Sequence, residues 1–247
     1  MNYLKTTVIL LLCFFLLTCG IDEYYYLPQV PEGGIFRQIN TKADITIPSN
    51  LFNGVSHYAI GYVIFYKIYT SENDNDNIEI IFREYPRISS DYSWLFTYTD
   101  RTNATSIPSS TTFSGRGFYE LECEGNIGTI LSTNGGSFSI NFQPITGVEP
   151  FIEFKGKNYN LLRSNGEGKF NPIPKDRYFF SSDDLKNYEY SNQKRPDINA
   201  DVSGQEGIPQ NAFVSMYIVA VGSNPRNFSK FYGKATHISI FKLPPLN

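Results

Sequence analysis

Glu72, Asn73, Asp74, Asn75, Asp76 and Asn77 set six oxygen-bearing side chains in succession, the donor chemistry from which a flexible loop holds Ca²⁺. Asp74 and Asp76 would be its carboxylate ligands. Counted from Asp74, Glu79 stands where an EF-hand turn requires Gly, and Tyr85 stands where the bidentate acid belongs, so a polar hairpin tip is the competing reading. Tyr92, Trp94, Phe96 and Tyr98 alternate and would share one strand face. That face is either buried, as hydrophobic alternation favours, or an exposed platform for sugar rings or a partner protein. Glu120, Glu122 and Glu124 also alternate and crowd one face, whereas a glycosidase needs two carboxylates across a cleft. Cys123 lies between them, where nearby acids would raise its pKa and discourage nucleophilic chemistry. His57 and His237 are far apart, and no Gly-x-Ser-x-Gly elbow, His-Glu-x-x-His helix or phosphate-binding Gly loop occurs. The expectation is a noncatalytic protein with no cofactor and no structural metal.

Composition agrees. In 247 residues, 41% are hydrophobic, 16% aromatic and 18% charged, enough to bury a core and too polar for a multi-span membrane protein. Twenty-one Lys and Arg against 24 Asp and Glu, without a long basic run, exclude nucleic acid as the expected partner. Three Cys and two His are too few for a Cys/His metal site or a disulfide framework.

The N-terminus is more specific. Lys5 precedes an unbroken apolar run from Val8 to Leu17. Its ten residues match the apolar region of a signal peptide and cover only about 15 Å as a helix, half of a bilayer core. The run ends Leu16, Leu17, Thr18, Cys19, Gly20, which resembles a bacterial lipobox; Thr18 departs from the usual small residue there. The resemblance implies cleavage before Cys19, acylation of that Cys, and a partner in the membrane through the acyl chains. Several chains anchor a protein stably where one does not. Tyr24, Tyr25 and Tyr26 follow, without a Gly/Ser tether; they suit either a packed strand or a belt at the lipid headgroups.

These features need strands to carry them, and the periodicity supplies strands. Ile45 and Ile47, the long series Tyr58, Ile60, Tyr62, Ile64, Tyr66, Ile68, then Ile78, Ile80, Phe82, Tyr119, Leu121, Cys123 and Phe138, Ile140, Phe142 alternate with period two. Phe151–Phe154 and Tyr159–Leu162 flank a Gly-containing four-residue connection, as in a hairpin. Val214, Met216, Ile218, Ala220 and the stretch from His237 to Leu243 add two more. Only Ser182 to Asn187 suggests helix. From Arg226 through Lys230, Lys234 and Lys242 the chain is basic with no acid after Glu206, a solvated strand face or a surface for anionic lipid or an acidic partner.

The segments Gly61–Tyr69 and Met216–Gly222 are similar to the two central strands of a fibronectin type III sandwich, with the stretch from Phe228 to Pro244 closing it. The resemblance implies an all-β, antiparallel β-sandwich (fibronectin/Ig-like) with an inserted second β-rich subdomain. The expected organisation is 1–18 signal peptide, 19–70 first part of the sandwich, 71–187 inserted subdomain, 188–210 exposed loop and 211–247 closing strands. The lipobox, the Tyr24–Pro31 opening, the Gly61–Tyr69 strand, Phe179–Ser182 and Val219–Pro225 together resemble uncharacterised Treponema-type spirochaete lipoproteins. That resemblance implies a cell-envelope address, outer membrane or cell surface ahead of inner membrane. The expected function is binding of a protein or a host or matrix partner; a carbohydrate-binding module, a divergent glycosidase or a structural envelope component are the alternatives.

Overall fold

The computed structural model describes residues 26–71, 73–89, 118–123, 135–143, 148–163, 178–180, 211–228 and 230–243. The described chain forms two mainly antiparallel sheets, packed face to face as an all-β sandwich with one α-helix. The first contains β1 (Ile35–Gln38), β2 (Lys42–Ile47), β5 (Glu122–Cys123), β6 (Gly136–Asn141), β7 (Phe151–Phe154), β8 (Lys157–Arg163) and β9 (Tyr178–Phe179). Its order is β1-β2-β6-β7-β8-β5, with β9 also on β8. The second contains β3 (Ala59–Ser71), β4 (Tyr119–Glu120), β10 (Asn211–Ser223), β11 (Lys230–Tyr232) and β12 (Thr236–Lys242). Its order is β11-β10-β3-β4, with β12 beside β11 on the same edge of β10.

The long alternating series is β3, and it pairs with β10 from Ala59↔Gly222 to Ser71↔Asn211. The two segments expected to lie side by side therefore do so across a sequence gap of more than a hundred residues. Tyr62, Ile64, Tyr66 and Ile68 of β3 join Val214, Met216, Ile218 and Ala220 of β10 in the core between the sheets. The opposing sheet contributes Ala43, Ile45, Ile47, Phe138, Ile140, Ile152 and Leu161. Phe142 stacks on Phe241 at 4.6 Å. In β2 and β6 the apolar residues alternate with polar ones because only one face is covered. β10 runs almost without interruption as apolar residues because both of its faces are buried.

The second burial partner is α1 (Asp74–Ser89), the stretch in which Ile78, Ile80 and Phe82 read as a strand. Asn73 caps it: the Asn75 N–H donates to Asn73 Oδ1 at 3.0 Å, and two acids occupy the first turn, where the helix dipole favours them. The stripe that counts is Asn77, Ile78, Ile81 and Tyr85, spaced for a helix, whereas Phe82 stays exposed. Period two was the wrong period for this segment, and the expected polar hairpin tip is the helix N-terminus.

Two further expectations change in detail. The hairpin of β7 and β8 turns through two residues, Lys155 and Gly156, both in the left-handed region at φ 51° and 72°, the geometry of a type I′ turn that a Gly accommodates. The alternating run Tyr119, Leu121, Cys123 is not one strand. Tyr119–Glu120 pairs with β3 and Glu122–Cys123 pairs with β8, so the chain crosses from one sheet to the other at Leu121. The described strands that lie between β3 and β10 in sequence complete both sheets, β6 on β2 and β4 on β3. On the other flank Asn40 bridges Phe241, and Lys242 N–H donates to Asn40 O at 2.9 Å. Arg37 seals the same seam by donating to the Ile238 and His237 carbonyls at 2.6 and 2.7 Å, which occupies β12 backbone acceptors otherwise available to another strand. The Ser182–Asn187 helix and the 188–210 loop lie outside the described residues.

Candidate functional site

Cys19 and the aromatic row Tyr92, Trp94, Phe96 and Tyr98 lie outside the described residues. Asp74 and Asp76 sit in the first turn of α1, and two residues apart on a helix means side chains about 200° apart. They do not converge on a shared ion. Asp74 Oδ2 instead accepts from Lys242 Nζ at 2.9 Å, while Asp76 Oδ1 accepts from Asn73 at 3.4 Å. Among the described residues no group of three or more His, Cys, Asp or Glu could hold a metal ion.

The structure assembles a different constellation beneath α1. On the helix-facing side of the second sheet the pairing registers form rows: Lys67 beside Ser215 and Ile240, then Phe65 beside Tyr217 and His237. Ser215 is fully buried, and its Oγ lies 3.4 Å from His237 Nε2. The imidazole is held between Tyr85 of α1, edge-on at 4.8 Å, and Tyr217 at 5.0 Å. Tyr85 donates its hydroxyl to Glu32 Oε1 at 2.9 Å, which ties the helix to the 3-10 turn Glu32–Gly34. Lys67 lies over the rings of Tyr69 and Phe118 at 5.2 and 5.5 Å, a cation–π arrangement.

A Ser–His pair invites comparison with a nucleophile and its base. Here burial, reinforced by the Arg37 charge, pushes the His237 pKa down to about 3, so the ring is neutral near pH 7 and too weak a base to take a hydroxyl proton. Ser215, with no exposed surface, offers no approach to a substrate. Burial and the Glu32 hydrogen bond raise the Tyr85 hydroxyl pKa. It too keeps its proton. The constellation is a clamp that docks α1 on the sheet. Sequence spacing gives no sign of it, because Glu32, Arg37, Tyr85, Ser215 and His237 come from five elements; the visible signal is a lone polar residue, Lys67 or Ser215, inside an otherwise apolar central strand.

Cys123 is buried in the main core. Burial is the principal cause of its raised pKa and the Glu122 charge the lesser one, so the thiol is inert for a stronger reason than the neighbouring acids alone. On the outer face of the first sheet Asp44, Ser139, Glu153 and Asn158 lie in one cross-strand row. Ser139 donates to Asp44, whose pKa this bond lowers most, and Lys42 pairs with the same carboxylate at 2.9 Å.

The chain shows no significant match to any protein-family model, curated protein or solved structure.

Proposed function

We propose that this protein is an acyl-anchored, noncatalytic β-sandwich of the cell envelope, displayed at the outer membrane or cell surface, that binds a protein or a host or matrix partner through its loops. The observation that carries the reading is the sequence Leu16, Leu17, Thr18, Cys19, Gly20 at the end of the apolar run that begins at Val8, a short signal that ends in an acylatable thiol. The inertness of the Ser215–His237 pair and of Cys123 supports a binding role over a catalytic one. On a sandwich of this kind the loops between strands are where binding residues concentrate. Mass spectrometry of the protein from its own membrane tests the anchor: the expected N-terminal peptide begins at Cys19 and carries acyl mass. An unmodified peptide spanning Thr18 and Cys19 would overturn it.

A further inference from the structure

We infer that one end of the sandwich, formed by the β2–β3 connection 48–58, the Lys155–Gly156 turn and the turn between β10 and β11, rests on the surface of an anionic bilayer. The inference rests on the acyl-anchor reading above. The registers place these segments together: Ile47 at the end of β2 pairs with Gly136, Phe138 pairs with Phe154 next to the Lys155 turn, and Ser223 N–H donates to Tyr58 O. Tyr58 in turn donates its hydroxyl to Tyr26 O at 2.8 Å. The described chain thus enters the fold at this same end.

What this end exposes is apolar and basic. Phe228 is 80% exposed, Tyr26 70% and Ile60 48%. Ile60 is turned outward by a bulge, since Gly61 pairs with Val221 and Ala59 with Gly222, which leaves Ile60 unmatched. Phe228 adopts φ 58°, a left-handed conformation rare for an aromatic residue. The turn that imposes it is fixed by Phe228 N–H to Asn224 O at 2.8 Å and Arg226 N–H to Asn224 Oδ1 at 2.9 Å. Strain of this kind persists where surrounding structure and function over-determine it, and here it lifts a phenyl ring into solvent. Lys155, Lys157, Arg226 and Lys230 surround the tip and are exposed. Segments 26–31, 48–60 and 223–231 contain no Asp or Glu; Glu32, directly after Pro31, accepts from the Tyr85 hydroxyl of α1, and Glu153 lies within β7 opposite Ser139 and Asn158. The opposite end carries Asp74, Asp76 and Glu79, and there Lys242 is engaged with Asp74.

The combination of protruding aromatic and aliphatic side chains with a rim of cations fits an interface of acyl chains and anionic headgroups. Geometry agrees. Six residues lie between Cys19 and Tyr26, a reach of at most about 25 Å, whereas the 13 residues of β10 span about 40 Å. The anchor cannot hold the inverted molecule against the membrane.

The test uses the full acylated protein in vesicles containing phosphatidylglycerol, with bimane placed by Phe228→Cys or, at the far end, by Ile39→Cys, and with doxyl-labelled lipid as quencher. The expected result is loss of emission at position 228 and none at position 39. Retention on vesicles with no quenching at 228, or equal quenching at both positions, overturns the inference while leaving the anchor standing. Absence of acyl mass on Cys19 together with loss of vesicle retention overturns both. The unsubstituted protein supplies an independent readout: acetylation of Lys155, Lys157 and Lys230 should fall on vesicles relative to detergent while that of Lys42 and Lys242 stays constant, and uniform acetylation overturns the inference.

Discussion

The two faces of the β3–β10 sheet are both buried, but they are buried differently. The face toward the other sheet is built almost wholly from aliphatic and aromatic side chains, and its orphan polar atom is the Tyr62 hydroxyl, whose ring stacks on Phe52 at 4.9 Å. The face toward α1 mixes Phe65, Phe118, Tyr217 and Val219 with Lys67, Ser215, His237 and the Asn77 amide. An apolar interface gains from every atom removed from water, while a mixed one gains only where each polar group finds a partner. The inner face therefore fixes the fold, and the outer face fixes how firmly one helix sits on it.

The largest test of this difference is a pair of truncations. Phe241→Ala, which leaves Phe142 without its stacking partner, should cost about 3–5 kcal/mol and lower the midpoint of the whole denaturant transition. Ile81→Ala, in the small cluster with Tyr69 and Phe213, should cost less, about 2–3 kcal/mol, and should raise hydrogen exchange in α1 before it does so in β10. Equal costs with a single shared exchange pattern would show that helix and sandwich unfold as one unit.

Legibility in the sequence follows the same division. Where one covering surface sets the pattern, as in β2 and β6, period two gave the strand and its buried side directly. β3 and β10 are legible from the same alternation, Tyr58 to Ile68 and Val214 to Ala220, and their pairing agrees with the expected neighbourhood of the two segments. The helix was misread because Ile78, Ile80, Ile81 and Phe82 satisfy both periods, and the choice is made by what Ile81 and Tyr85 meet on the sheet. The break at Leu121 and the Ser215–His237 clamp were not legible, since each depends on partners far away in the chain. Asp74 and Asp76 were conspicuous by type, yet a helix separates residues at that spacing.

A pH titration sharpens the comparison next. The folded protein holds the His237 pKa near 3 against an ordinary 6.5, so the unfolded chain binds the additional proton between those values. Stability contributed by the neutral ring is complete above pH 6.5 and falls as pH drops toward 3, by up to about 1.4 kcal/mol per pH unit. Asp44 works in the same direction, but its pKa lies below the ordinary 3.8, so the loss it contributes begins only near that value. Denaturant midpoints measured from pH 7 to pH 4 should decline in the native protein, and His237→Phe should flatten that decline. A profile unchanged by the substitution would remove His237 from the account of the helix-facing side.

The smallest expected effect concerns Asn77, which is fully buried and whose Oδ1 and Nδ2 have no hydrogen-bond partner among the described residues. An unsatisfied buried amide costs about 1–3 kcal/mol relative to a paired one, and the site lies on the face of α1 that also buries Ile81. Asn77→Leu keeps a similar volume, removes both orphan atoms and adds apolar contact, so it should stabilise the protein by about 1 kcal/mol and raise the thermal midpoint. The same change also tests the contrast between the faces, because converting one polar position should make the helix-facing side behave more like the inner one, with slower hydrogen exchange across the first turns of α1. Destabilisation by Asn77→Leu would mean that the amide has partners in the native protein. The mixed face would then be a satisfied polar network and no longer the weaker of the two.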